Sequence, residues 1–190
     1  MKNLSFKAWL VASLIIAASA QAETIDPNFS AKEILSEQEV KFSPAEKKGL
    51  VAVFLSAHCP CSNSHVAALK ELHDAYPEFS FVGVHANADE GKDFTQNYFK
   101  QAALPFPMVQ DTGAKLADRF HALKTPHAFV LSPQGEVLYK GGVSDSRDFA
   151  KAKHPYLAEA LADIKAGKPV RTASSRSLGC TIARGGKDVW

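Results

Sequence analysis

The chain has 190 residues, 46% of them hydrophobic, with 22 basic side chains against 20 acidic ones. That balance calls for neither nucleic acid nor an anionic membrane surface as partner, and the length suits one domain with a substantial core. Three cysteines, Cys59, Cys61 and Cys180, leave one thiol over in any intramolecular pairing.

Lys2 and Lys7 precede an apolar run from Ala8 to Ala18 that ends in the small-residue pattern Ala20-Gln21-Ala22. This is the pattern of a secretory signal peptide over residues 1–22, with cleavage expected near Ala22, before Glu23. The run is shorter than the ~20 residues a membrane span needs, so the mature form is expected without a span, in the periplasm or secreted. Loss of the two lysines brings the basic and acidic counts level. An exported compartment also permits disulfides, although a core of this size needs no staple to fold.

Residues 23–48 are polar and mixed and read as an N-terminal leader that adds a short helix or an edge strand. Leu50-Val51-Ala52-Val53-Phe54-Leu55 is a run of strand formers of the kind buried on both faces of a sheet. From Pro60 the period changes, with Val66, Leu69, Leu72 and Tyr76 at three- and four-residue spacing until Pro77, which predicts an amphipathic helix. Phe79 to His85 is a second strand, completing a right-handed parallel crossover.

A helix from Asp93 to Ala102 follows, then the apolar stretch Phe106 to Val109 and a helix near Ala114 to Phe120. After Lys124-Thr125-Pro126, Ala128 to Leu131 and Val137 to Tyr139 form a hairpin around Ser132-Pro133-Gln134-Gly135. A last helix from Tyr156 to Lys165 stops near Gly167 and Pro169. This order of elements is that of an α/β thioredoxin fold over residues 49–170, a central mixed β-sheet with helices on both faces. Residues 171–190 form a basic, serine-rich C-terminal tail that carries Cys180, with a flexible 171–178 segment.

Cys59 ends the buried strand and precedes Pro60, a residue favoured at the first helical position. As the N-cap it meets unpaired N–H groups and the positive end of the helix dipole, which lowers a thiol's pKa below its free value of about 8.5. Cys61 is two residues away, so a Cys59–Cys61 disulfide closes a small ring of poor geometry, and Cys180 is the better resolving partner. Thr125-Pro126 before a strand is expected to be cis and to face the cysteine turn, where its backbone pairs with a bound peptide or thiol substrate. His58, His65 and His127 flank these residues. Their plain reading is that His58 tunes the thiolate and the other two are partly exposed; the rival reading is copper or zinc bound by Cys59, Cys61, His65 and His127.

From Leu50 to Ile182 the chain resembles the redoxin family of alkyl hydroperoxide reductases and thiol-specific antioxidants (AhpC/TSA), within the thioredoxin-like superfamily. The resemblance is carried by Cys59-Pro60-Cys61-Ser62-Asn63, Pro105-Phe106-Pro107, Thr125-Pro126-His127-Ala128-Phe129-Val130-Leu131, Gly167-Lys168-Pro169-Val170 and Gly179-Cys180-Thr181-Ile182. These patterns look like an exported bacterial branch of the family. Two departures bear on the chemistry the resemblance implies. Ser56 and Cys59 match the end of a peroxidase signature, but Ala52 replaces its proline and Lys124-Thr125-Pro126 stands where a peroxidase needs arginine. Ser62 stands where a Cys-x-x-Cys protein has its resolving cysteine.

The residues therefore predict an exported thiol–disulfide oxidoreductase acting on protein or small-molecule thiols and disulfides, with an electron donor the sequence does not name. Cys59 is the nucleophile, Cys180 or Cys61 resolves the mixed disulfide, and His58, Thr125 and Pro126 support them, without a cofactor. The alternatives are a peroxiredoxin-like peroxidase using Cys59 and a non-enzymatic copper chaperone.

Overall fold

A computed structural model of the protein describes residues 23–185, and the expected signal peptide lies outside these residues. Strands β1 (Phe29–Glu33) and β2 (Glu39–Phe42) form an antiparallel hairpin from the leader. They are followed by β3 (Leu50–Phe54), α1 (Pro60–Ala75), β4 (Ser80–His85), α2 (Lys92–Ala102) and β5 (Met108–Gln110). A 3-10 turn then leads to α3 (Lys115–Arg119), the two-residue β6 (Lys124–Thr125), β7 (His127–Leu131), β8 (Val137–Gly141), α4 (Tyr156–Lys165) and β9 (Cys180–Thr181).

Seven strands make one mixed sheet in the order β2-β1-β5-β4-β3-β7-β8, and β6 and β9 pair separately. β3, β4 and β5 run parallel, whereas β7 lies antiparallel to β3 with Ala52 opposite Phe129. Every residue of β3 is buried because both faces are covered, the signature of a strand at the centre of a helix-sandwiched sheet. Val51 and Val53 face a core built with Leu69 and Leu72 of α1, Phe99 of α2 and Leu157 and Leu161 of α4. Leu50, Ala52 and Phe54 face the other way, onto Leu116, Ala117 and Phe120 around α3. Fully burying side chains of this size contributes roughly 1.5–3 kcal/mol each, so the alternation along β3 fixes the register of the whole sheet.

The buried face of α1 differs from the expected one. Ser62, His65, Ala68, Leu69 and Leu72 point inward, while Val66 is only half-buried. Two polar residues thus lie inside the first turns of the helix, where an apolar-periodicity reading passes over them. The tail also differs from the flexible segment expected. Lys140 N–H donates to Ala173 O at 3.0 Å and Ser175 N–H to Lys140 O at 3.0 Å, laying the tail parallel to β8. The Tyr139 hydroxyl, 2.7 Å from Ser175 Oγ, ties it further. A neutral, small-residue segment is held here by backbone pairing, which composition does not report.

Candidate active site

The site forms at the C-terminal end of β3, where ligand-binding crevices of open α/β sheets lie. The chain leaves β3, makes the turn Ser56-Ala57-His58 and starts α1, with Cys59 as N-cap and Pro60 just inside the helix. The Cys59 side chain does not cap the helix in its thiol form: Sγ donates instead to Thr125 O at 3.1 Å. The Thr125–Pro126 peptide bond is cis, as the sequence predicts, and the residue before it thereby faces the cysteine turn.

β9 lies antiparallel to β6 and sets Cys180 opposite Thr125 and Thr181 opposite Lys124. The 121-residue separation of Cys59 and Cys180 in sequence is closed by this pair, which brings the Cys180 thiol beside the Cys59 sulfur. Burial pushes the Cys59 thiol up. Hydrogen bonds from the Cys180 thiol, the Thr125 hydroxyl and the Ser62 and Cys180 backbone N–H groups outweigh that and bring it down to about 7. The Thr125 hydroxyl is buried with no other hydrogen-bond partner among the described residues, so it is free to donate to Cys59 when that sulfur ionises. Cys180 moves the opposite way, to about 12, through burial and then through its hydrogen bond to Cys59 and the negative charge there. Cys61 is raised as well, by burial and by Cys59, with Arg147 opposing.

Under the turn lies a network that the sequence did not disclose. Glu90, buried in the segment before α2, accepts from Ala57 N–H at 2.7 Å, Asn87 Nδ2 at 2.6 Å and His85 Nε2 at 3.0 Å, and from the Ser56 hydroxyl. Ser56 Oγ in turn accepts from Cys59 N–H at 3.0 Å. Burial opposes ionisation of Glu90, but the hydrogen bonds from His85, Ser56 and Asn87 prevail and hold its carboxyl down at about 2. An ionised carboxylate therefore clamps the turn that presents Cys59. In sequence Glu90 reads as an ordinary acid beside a helix start, and only the fold reveals its burial.

The histidines fall apart as a group. His58 is exposed and stacks on Phe94 of α2, with ring centroids 4.1 Å apart, so it borders the site on the solvent side. His65 is buried with both ring nitrogens engaged, Nδ1 donating to Cys61 O at 2.7 Å and Nε2 lying 2.8 Å from Ser144 Oγ. Burial, followed by the charge of Lys140, lowers His127 to about 4, and its Nδ1 accepts from Leu123 N–H. Among the described residues no group of three or more His, Cys, Asp or Glu is arranged to hold a metal ion.

A central mixed sheet, a cysteine at the N-terminus of the helix that follows β3, and a cis proline facing it define a thioredoxin-fold redox protein. Residues 24–140 match the AhpC/TSA family, and the chain belongs to that family. Among curated relatives, it is 26% identical over 124 residues to sporulation thiol-disulfide oxidoreductase A of Bacillus subtilis (strain 168), covering 63% of this chain and 75% of that one. It is 25% identical over 114 residues to thiol-disulfide oxidoreductase ResA of Bacillus cereus (strain ZK / E33L), covering 60% of this chain and 65% of that one. Its fold is similar to that of an uncharacterized conserved protein from Geobacillus kaustophilus, with a TM-score of 0.77, 20% identity, and coverage of 90% of this chain and 95% of that one.

Proposed function

We propose that the protein is an exported thiol–disulfide oxidoreductase in which Cys59 is the nucleophile and Cys180 the resolving cysteine. The observation that carries this reading is the seating of the Cys59 sulfur between Thr125 and the Cys180 thiol, with Cys59 drawn down to about 7 and Cys180 pushed up to about 12. At neutral pH Cys59 is about half ionised while Cys180 keeps its proton, so whatever negative charge the pair carries rests on Cys59.

The Cys59 thiolate attacks one sulfur of a substrate disulfide. A Cys59–substrate bond forms, the substrate S–S bond breaks, and the departing sulfur leaves as a thiolate that takes a proton. Once Cys59 is bonded, its charge and its demand for the Cys180 proton disappear, so two of the influences that raise Cys180 are gone. Cys180 then loses its proton and attacks Cys59 Sγ, releasing the substrate sulfur and leaving a Cys59–Cys180 disulfide. Two electrons pass from the protein dithiol to the substrate, and a separate donor restores the dithiol.

The names of the curated relatives support this reaction class, and the reading calls on no cofactor. Export rests on the amino-terminal pattern. Among the described residues no helix is long and apolar enough to cross a membrane. The test is reduction of a small chromogenic aromatic disulfide by the pre-reduced protein and its single-cysteine variants. Cys59→Ser is expected to remove the reaction, whereas Cys180→Ser is expected to leave a stable mixed disulfide on Cys59. Undiminished reduction by Cys59→Ser refutes the assignment of the nucleophile.

A further inference from the structure

The strand that brings Cys180 to Cys59 is seated as a bound peptide is. Gly179 to Arg184 lies along β6 and the residues around it, paired antiparallel in the register Thr125–Cys180 and Lys124–Thr181. Ile182 N–H donates to Leu123 O at 3.1 Å, and Lys124 Nζ donates to Thr181 Oγ1 at 2.8 Å. Arg184 closes the segment through Asp118 and the Ala122 carbonyl. Alternate side chains take opposite roles, as in any added strand: Cys180 faces Cys59, Thr181 faces solvent, and Ile182 is buried in the core beside α3. Backbone pairing of this kind supplies affinity for extended polypeptide in general, while the pockets between the pairs supply selection.

We propose that Gly179-Cys180-Thr181-Ile182 occupies the substrate-pairing edge of β6 as a built-in copy of the protein substrate, so that the tail masks that edge and shows which polypeptides it selects. The inference rests on Cys59 being the nucleophile. The substrate class is an extended polypeptide whose reacting cysteine is preceded by glycine and followed, two positions on, by an apolar residue. Glycine is required for a steric reason, because a Cβ at position 179 would collide with the Thr125 carbonyl oxygen and its carbon and crowd the Pro126 ring. The Thr125 carbonyl is already engaged there, since it also accepts the Cys59 thiol at 3.1 Å. The apolar requirement comes from the pocket that Ile182 fills, at 3% exposure.

One edge with two possible occupants sets the order of events. A polypeptide disulfide reaches Cys59 only after the tail lifts from β6, and Cys180 reaches the mixed disulfide only as the tail returns. Resolution is then a strand exchange: the attack of Cys180 on Cys59 Sγ and the displacement of the product strand occur at the same place, with the electron balance given above. Ala173 and Ser175 stay paired with Lys140 while residues beyond them lift, so the tail remains tethered and its return is intramolecular.

Two chromogenic peptides test this, each a disulfide between a nitrothiobenzoate group and the cysteine of Ser-Leu-Gly-Cys-Thr-Ile-Ala or of its Ala-Cys counterpart. They are given to the full-length mature Cys180→Ser protein and to the double variant Gly179→Ala/Cys180→Ser, whose tail no longer fits β6. The double variant is expected to react with the Gly-Cys peptide about tenfold faster than Cys180→Ser does, and about tenfold faster than it reacts with the Ala-Cys peptide. Arg184→Ala/Cys180→Ser, which loosens the tail without altering the glycine, is expected to accelerate the Gly-Cys peptide in the same direction. Equal rates for the two peptides, or no acceleration from either tail variant, overturns the proposal. The small aromatic disulfide needs no strand pairing and serves as the control. If it too fails to react through Cys59, the nucleophile assignment has failed, and if it reacts while the peptides are not discriminated, only the recognition site has.

Discussion

Cys180 stands directly opposite Thr125 in the β6–β9 pair, and Thr125 is the residue whose carbonyl accepts the Cys59 thiol at 3.1 Å. Air oxidation is therefore expected to join Cys59 to Cys180 and leave Cys61 as the free thiol. The bond closes a loop of more than 100 residues, for which chain entropy alone gives roughly 4.7 kcal/mol, less whatever native strain subtracts. Peptide mapping after alkylation identifies the pair, and a melting temperature that rises on oxidation of the wild type but not of Cys180→Ser checks its contribution. A Cys59–Cys61 bond in the map contradicts the expectation.

The reactivity of Cys59 is expected to follow its ionisation. Below about pH 7 the thiol dominates and the iodoacetamide rate rises with pH; above it the rate levels off, since the group is held at about 7. Thr125→Val keeps the shape of the side chain but removes the hydroxyl that serves the thiolate, so it is expected to move the midpoint upward, toward the ordinary thiol range of about 8.5. Cys180→Ala is expected to move it further, because the Cys180 thiol is the strongest of the groups that favour ionisation. A midpoint unchanged in both variants removes the hydrogen-bonding explanation.

What was legible in the sequence is what local pattern encodes. The run Leu50–Leu55 announced β3 because a strand covered on both faces is apolar throughout, and the change to helical spacing after Pro60 placed Cys59 at the helix start. Thr125-Pro126 was readable from its position before β7, given the order of elements. Glu90 was not: His85 and Asn87 stand close before it in the chain, but its burial under the cysteine turn depends on Ser56 and Ala57, which lie 34 and 33 residues away. The inward turn of His65 was hidden for a related reason: its partner Ser144 lies 79 residues away. The docking of the tail was hidden because backbone pairing carries little side-chain signature.

For copper, the expected outcome is weak retention. His65 would have to give up its bonds to Cys61 O and Ser144 Oγ to become a ligand, and each costs about 1 kcal/mol before any metal bond forms. Titration of the reduced protein with Cu(I) against a chelator of known affinity is expected to leave the metal on the chelator, and His65→Ala to change this little. Tight retention that His65→Ala or His127→Ala abolishes supports a copper-binding role instead.

The acid limb of the stability curve reports on Glu90. In the folded protein its carboxyl is held at about 2, against an ordinary 4.5. A depressed carboxylate binds its proton more readily in the unfolded chain, so its contribution is complete above 4.5 and is lost as pH falls from there toward 2. Glu37 and Asp163 are also depressed to about 2, through Lys92 and Arg171 respectively, so the limb does not vanish without Glu90 but becomes shallower. Glu90→Gln preserves the size of the side chain while weakening the bonds to His85 and Ala57 N–H, and removing one partner of a buried charged network costs up to roughly 3–5 kcal/mol. At about 2–4 °C per kcal/mol for a domain of this size, a melting temperature lower by up to roughly 6–20 °C at pH 7 is expected, with the difference from wild type narrowing below pH 4.5. The same variant frees the Ser56 hydroxyl that positions the Cys59 N–H, so the alkylation rate of Cys59 at pH 7 is expected to fall with it. A parallel acid limb in Glu90→Gln and wild type shows that the carboxylate does not clamp the turn.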